Sequence, residues 1–276
     1  MEEIHNPEPV IPEQTPENAQ EELSHSDKIV GIFTSPAQTY EQMSKFPPRV
    51  IDWLLPVSLM VVFAIVANII LMSNPDIRYE IKQKQMASIE KTFNEMVEKG
   101  QLTREMADEQ IEKNRERMDE FSGGTGTILQ AISTIFAIFI MFFIVTGIYF
   151  LFSRFALKGE GTFLSALAAN GMSYYISIIG MILMVLASLL MRKFLMGTSA
   201  GAFMGMEKTT FTGVLMYKLD VIGIWGLAVT SIGLAKMFKS KSMGKYFAVV
   251  FGIWIIWSFI AFGIAKAVPA LSFLAM

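Results

Sequence analysis

Five long apolar segments constrain the fold of this 276-residue chain more than any other feature of its sequence. Each has about 20 residues or more, the length that an α-helix needs to cross a bilayer. They lie at about residues 53–73, 128–152, 163–191, 215–235 and 246–265. The sequence therefore predicts an all-α fold, a polytopic helical membrane bundle with five transmembrane helices.

Composition narrows the chemistry that the chain can perform. It is 53% hydrophobic and has no cysteine, so disulfides and cysteine-ligated zinc are excluded. Its two histidines, His5 and His25, lie in the polar N-terminal part. On this basis we expect no histidine-based catalytic or metal site inside the bundle.

The N-terminal region divides into an acidic arm and a short amphipathic part. Residues 1–27 hold eight acids, four prolines and no lysine or arginine, which predicts a disordered arm that is either a loose tail or a partner-binding tail. Residues 28–52 predict two short amphipathic helices, with Pro36 in the first turn of the second. These interfacial helices lie on the membrane surface or pack under the bundle, and both interpretations stay open.

Residues 76–121 predict an extramembrane αα-hairpin inserted between the first and second spans. Apolar residues recur there at helical spacings, and Gly100 separates two arms with alternating charges on their outer faces. Asn74 and Pro75 are typical of a helix start, so we expect the chain to continue straight out of the membrane. The hairpin is a candidate contact for protein partners.

Lysine and arginine in the short loops predict the orientation. Nine of them fall on the side of the N-terminus and four, or five with Lys218, on the other, not counting nine in the charge-balanced segment 76–121. This bias places the N-terminus in the cytoplasm and the C-terminus outside it. The cytoplasmic side includes candidate contacts to anionic inner-leaflet lipid at Lys236, Lys239, Lys241 and Lys245. The apolar segment 194–206 is too short to span and predicts either a loop or a re-entrant piece.

A candidate polar cluster is formed by residues inside the predicted spans: Asp220, Asn170, Tyr174, Tyr175 and Asn68. An acid within a span is commonly paired or functional, and Asp220 is predicted about one turn into the fourth span. It is either hydrated at the interface, hydrogen-bonded to Tyr174, Tyr175 or Asn170, or part of an ion or proton site. Asn170 and Asn68 are more typical of hydrogen bonds between helices.

No catalytic motif accompanies this cluster. The P-loop, GxSxG, HExxH and dinucleotide-binding patterns are all absent from the sequence. We therefore expect no enzymatic activity, no cofactor, no metal and no nucleic-acid partner. The spans show no evident inverted repeat of broken helices, which disfavours a transporter.

Three stretches resemble a known family: IFTSPAQTYEQMSKFP (32–47), GTFLSALAANGMSYYISIIGMIL (161–183) and LDVIGIWGLAVTSIGLAKMFKSKSMGK (219–245). In order and spacing they are similar to the Yip family of Ypt/Rab-interacting membrane proteins, in particular its prokaryotic branch. The resemblance implies a five-span domain with a cytoplasmic N-terminus, in a prokaryotic plasma membrane. The Rab partner of the eukaryotic relatives is not implied for a prokaryotic member. The long hairpin at 76–121 departs from the compact family pattern.

Together these features predict a non-enzymatic scaffold, adaptor or membrane-organising protein that acts through lipid and protein contacts and can form a homo-oligomer. The alternative is a transporter or channel-like protein that uses the polar cluster around Asp220. The two hypotheses differ most in what they require of the Asp220 side chain.

Overall fold

The computed structural model describes residues 21–120, 124–208 and 210–267. Its helices are α1 (His25–Thr34), α2 (Pro36–Met43), α3 (Ile51–Ser73), α4 (Pro75–Glu98), α5 (Arg104–Glu120), α6 (Gly124–Leu151), α7 (Phe163–Met191), α8 (Ala200–Phe203), α9 (Phe211–Lys218), α10 (Val221–Met237) and α11 (Met243–Ala267). A π-helical turn, Phe152–Ala156, follows α6. No strand occurs in the described part of the chain, and the all-α prediction is confirmed.

Four helical segments of the described chain are long and apolar enough to cross a membrane: Ile51–Ser73, Gly126–Ala156, Phe163–Met191 and Met243–Ile264. A fifth candidate is the pair α9 and α10, whose axes meet at a bend of 64°. If this pair is one span, the five-span bundle is complete. The structure thus replaces the continuous helix predicted at about 215–235 with two helices that are interrupted at Leu219 and Asp220.

Helix α7 is the centre of the bundle and packs against α3, α6, α10 and α1. A capping box starts it, because the Thr162 and Ser165 side chains each accept a hydrogen bond from the other's backbone N–H. Small residues on α7 let its neighbours approach closely. A Cβ atom at Gly171, for example, would lie 2.5 Å from the Trp53 Cα atom of α3.

Helices α1 and α2 form a cap over one end of the bundle, which we call the cap end. Their side chains Ile32, Tyr40 and Met43 are buried in the main hydrophobic core. Tyr40 Oη donates a 2.8 Å hydrogen bond to the Ala169 carbonyl oxygen of α7. Of the two interpretations left open for these amphipathic helices, the structure has their apolar faces packed under the bundle.

The boundary of the acidic arm also moves. Residues 1–20 lie outside the described residues, whereas α1 already begins at His25 with Ser24 as its N-cap. Residues 25–27 were predicted as part of the disordered arm and are helical instead. The reason is that Ser24 accepts a hydrogen bond from the Asp27 N–H, which starts the helix ahead of its first apolar turn.

The hairpin of α4 and α5 occupies the opposite end of the bundle, which we call the hairpin end. Helix α4 does not continue straight out as predicted. Ile77 and Ile81 are buried against the ends of α3 and α7, and the Glu80 carboxylate accepts a 2.6 Å hydrogen bond from the Phe194 N–H. Further along, Lys91 lies 3.9 Å from Glu207, so α4 follows the end of the bundle. Burial of the two isoleucines is the force that holds it there.

The ambiguous segment 194–206 is folded onto this end as turns and the short helix α8. Ser199 caps α8 by accepting a hydrogen bond from the Ala202 N–H. Gly201 packs so closely that a Cβ atom would lie 2.8 Å from the Tyr217 ring of α9. The segment therefore connects α7 to α9 as a compact loop that is partly buried.

Candidate functional site

The polar side chains of α7 form hydrogen bonds to both neighbouring helices. Asn170 Nδ2 donates a 2.8 Å bond to Thr146 Oγ1 of α6. On the other side, Thr230 Oγ1 of α10 lies 2.9 Å from Ser173 Oγ. All four side chains are buried, and a buried polar group without a hydrogen bond costs free energy in an apolar environment. This network accounts for Asn170 as an interhelical contact, as its residue type indicates.

Beside this network lies a cavity of about 690 Å³ that extends along α7 toward the hairpin end. We call it the large lobe. One wall is polar and includes Asn170, Ser173, Tyr174 and Thr230, while Met60, Met181, Met184 and Leu227 make most of the remainder apolar. Its opening at the hairpin end is lined by Thr198, Lys208 and Asp220. A pocket of this size with few convergent polar groups is typical of a ligand site.

Asp220 lies at the break between α9 and α10 and caps α10. Its Oδ1 atom accepts hydrogen bonds from the N–H groups of Ile222 and Gly223, both at 3.1 Å, and from Thr198 Oγ1 at 2.8 Å. Of the alternatives left open for Asp220, a hydrogen bond to Tyr174, Tyr175 or Asn170 is not the one that the structure has. Asp220 therefore lies at the start of a new helix and not within a continuous one, and an Asp at this position satisfies the free N–H groups of the helix start.

A second cavity of about 310 Å³, the small lobe, adjoins the first. It shares Met196, Gly197, Lys208 and Asp220 with the large lobe and adds Lys218 and residues of α11. Burial lowers the pKa of Lys208. The ammonium groups of Lys208 and Lys218 lie over the rings of Tyr217 and Trp254, at 4.7 and 4.1 Å from their centroids.

The candidate cluster is thus only partly assembled. Asp220, Asn170 and Tyr174 line the large lobe, whereas Asn68 is partly buried on α3 and lines neither lobe. Tyr175 points to the cap end, where its Oη atom lies 2.8 Å from His25 Nε2. The cap thus brings His25, a residue of the polar N-terminal part, against α7.

A buried charge cluster surrounds this histidine. Lys28 Nζ donates to both carboxylate oxygens of Asp52, at 3.1 and 2.9 Å, and Glu22 lies 3.3 Å from the same ammonium. The His25 Nδ1 atom is 3.2 Å from Asp52 Oδ1. Burial, and to a smaller extent the Asp52 charge, raise the pKa of Tyr40 nearby. A charge on an apolar helix face, Lys28 four residues before Ile32, was the available sequence signal for this cluster.

The lysines predicted to contact lipid head groups lie between the last turn of α10 and the first turn of α11, at the cap end. Lys236 forms a 2.6 Å ion pair with Glu41 of α2, and this interaction lowers the pKa of Glu41. Lys239, Lys241 and Lys245 are exposed. Three of the four are thus available to lipid, and one fastens the cap. Among the described residues, no group of three His, Cys, Asp or Glu side chains is suited to a metal ion.

The helical bundle, its long apolar spans and its internal polar network define an integral membrane protein of the polytopic helical class. Comparison with protein families gives a match to the Yip1 domain over residues 30–265, which is most of the chain. The chain belongs to the Yip1 domain family, as the three stretches indicated. Neither the curated proteins nor the solved structures contain a match.

Proposed function

We propose that this protein is a non-enzymatic scaffold of a prokaryotic plasma membrane, with the cap end in the cytoplasm and the hairpin end outside. The observation that carries this proposal is the position of α5. It packs on α4, and α4 in turn is fixed to the end of the bundle. The outer face of α5 is thereby held at a defined place, as a docking surface requires.

The α5 surface has a charge that favours one kind of partner. The helix contains seven acids and four bases, and Glu105, Asp108 and Glu109 are exposed. Its buried Ala107 and the ion pair of Arg115 with Glu90 secure the contact with α4. A partner with a basic surface would complement the exposed face, because opposite potentials steer and select association.

Site-specific photo-crosslinking in native membranes tests this function. A photo-reactive residue at Met106, which is 51% exposed on α5, should give a defined protein adduct. The double variant Glu105→Lys, Asp108→Lys should abolish that adduct. The same probe at Leu186, an exposed apolar position of α7, serves as a control for lipid contact. An adduct that survives charge reversal, or no protein adduct at Met106, would count against the scaffold function.

A transporter or channel-like function remains the second candidate, and one feature supports it. The break between α9 and α10 lies beside the large lobe, and interrupted helices beside polar cavities are typical of transporter binding sites. In proton-loaded vesicles, Asp220→Asn should then abolish flux while leaving the cap of α10 intact, because Asn caps helices as well as Asp does. Unchanged flux, or none in the unmodified protein, would exclude this candidate.

A homo-oligomer is also part of the proposal. Helix α11 has contacts mainly with α10 and exposes Ile256, Trp257 and Ile260. Such a face is suited either to lipid or to a second copy, and the mass of the protein in lipid discs distinguishes the two.

A further inference from the structure

The two lobes adjoin each other and differ in their chemistry. They meet at Lys208 and Asp220, which line both. The large lobe follows α7 from Asn170 to Met184, 14 residues or about 21 Å at 1.5 Å per residue. This length exceeds one leaflet of a hydrocarbon core that is about 30 Å thick. The space is therefore long enough for an acyl chain.

The interior of the large lobe suits an apolar occupant. Much of its polar wall is already paired, because Asn170 Nδ2 bonds to Thr146, and Ser173 bonds to Thr230 and to the Asn170 carbonyl oxygen. These three hydrogen bonds are made without a ligand. Methionines line much of the rest, and their flexible side chains adapt to a chain of variable shape. A Cβ atom added at Gly226 on α10 would meet no atom within 4 Å, so there is open space at this point.

The small lobe suits a negative charge. Lys208 and Lys218 both line it, against one carboxylate, Asp220. The Oδ1 atom of that carboxylate is engaged by Thr198 and by the first turn of α10. Burial lowers the pKa of Lys208, and a bound anion would oppose this by stabilising the ammonium form. This end also lies where α7 and α9 reach the hairpin end, the level at which head groups are expected.

We propose that the two lobes together bind one anionic membrane lipid, with its phosphate between Lys208 and Lys218 and an acyl chain in the large lobe. The site goes beyond the scaffold function and does not rest on it, since α5 lines neither lobe. It competes with the transport candidate for the same space. A tightly bound lipid would fill the space between the helices and pack against them as a side chain does.

Native mass spectrometry of the purified full chain tests this site. The protein is titrated in micelles with phosphatidylglycerol, with phosphatidylcholine and with inorganic phosphate. We expect retention of one phosphatidylglycerol and about tenfold weaker retention of phosphatidylcholine, the difference that lysine contacts to an anionic head group support. Gly226→Leu should remove retention of both lipids, since its side chain would fill the lobe.

Two further variants complete the test. Gly252→Leu is the matched control, because a Cβ atom at Gly252 also meets no atom within 4 Å but Gly252 lines neither lobe. It should bind as the unmodified protein does. Lys208→Gln should remove the preference for phosphatidylglycerol and leave phosphatidylcholine unaffected. Equal retention of the two lipids by the unmodified protein, full retention by Gly226→Leu, or displacement of the lipid by inorganic phosphate would each overturn the proposal.

Discussion

Lys28 and Asp52 form an ion pair between α1 and α3 in which both residues are almost fully buried, at 2% and 1% exposure. The pair joins the cap to the first span. Burial of two charges costs desolvation free energy, which only a close contact between them offsets. Here the ammonium contacts both carboxylate oxygens.

Loss of one partner of this pair should release the cap. Lys28→Ala leaves Asp52 buried without its main partner, and we expect the free energy of unfolding in micelles to fall by about 3–5 kcal/mol. The double variant Lys28→Met, Asp52→Leu should recover most of the loss, since it removes both charges. Lys45→Ala, at an exposed position of the same region, is the control and should change stability by less than about 0.5 kcal/mol. Comparable losses for Lys28→Ala and Lys45→Ala would refute this account.

The contact of α2 with α10 depends on the absence of a side chain at Gly233. A Cβ atom there would lie 2.7 Å from Tyr40 Cζ, and Tyr40 is fully buried. Gly233→Ala should therefore destabilise the protein by about 1–3 kcal/mol and increase proteolysis of α2. Gly226→Ala on the same helix meets open space and should be neutral or stabilising by up to about 1 kcal/mol. Equal changes in stability for Gly233→Ala and Gly226→Ala would contradict the close contact between Tyr40 and Gly233.

Asp220 should prove replaceable by any good capping residue as far as folding is concerned. Asp220→Ala removes the acceptor for two N–H groups of α10, with an expected loss of about 1 kcal/mol. Asp220→Asn should stay within a few tenths of a kcal/mol of the unmodified protein. Thermal unfolding followed by circular dichroism measures both. A large loss for the asparagine variant would show that the negative charge itself stabilises the fold.

The bond between α6 and α7 predicts a specific sensitivity at Thr146. Thr146→Val leaves the buried Asn170 amide without its partner, and we expect a loss of about 1–2 kcal/mol. Thr134→Val is the matched control on α6, because the exposed Thr134 hydroxyl bonds only to the Gln130 carbonyl oxygen of its own helix. The unfolding midpoints of the two variants should differ clearly, and coincident midpoints would contradict the bond.

Attachment of the hairpin should depend on pH through Glu80. Burial opposes ionisation of this carboxyl, but hydrogen bonds from Lys84 and from the Phe194 N–H outweigh it and lower its pKa. The stabilisation is therefore complete above the ordinary glutamate pKa of about 4.3 and is lost as pH falls through the lowered pKa. Hydrogen exchange in the first turns of α4 should increase in that range.

Two variants check this assignment. Glu80→Gln should exchange at a rate that does not change with pH in the same window, after correction for intrinsic exchange. Glu109→Gln affects a carboxyl that pairs with Lys113 within α5 and should leave α4 unchanged. A pH-dependent rate in the Glu80→Gln variant would assign the effect to another group.

The all-α class and the family could be predicted because long apolar runs and three ordered stretches are properties of the chain itself. The helix break at Leu219 and Asp220 carried a local signal too, since Asp followed by Gly223 is compatible with a capped helix start. The length of the surrounding apolar run, which suits a single transmembrane helix, favours the continuous helix instead.

The charge cluster and the cavity could not be predicted in the same way. Asp52 and Lys28 are 24 residues apart, and His25 meets Tyr175 over 150 residues. Such pairs depend on which faces of two helices meet, and a single sequence does not specify that. The large lobe is even harder to predict from sequence, because it is the space that α3, α6, α7 and α10 leave unfilled between them.

The cap has a consequence for the order in which the chain can assemble during synthesis. Lys28 can pair with Asp52 as soon as the first span is made. The hydroxyl of Tyr40, in contrast, bonds to the Ala169 carbonyl oxygen of α7, and its ring packs on Gly233 of α10. Helices α1 and α2 leave the ribosome before α7 and α10, and they reach their full set of contacts only after those helices have been made. Until α10 has been inserted, the apolar faces of α1 and α2 stay exposed. The cap therefore closes only on a bundle whose α7 and α10 are already in place.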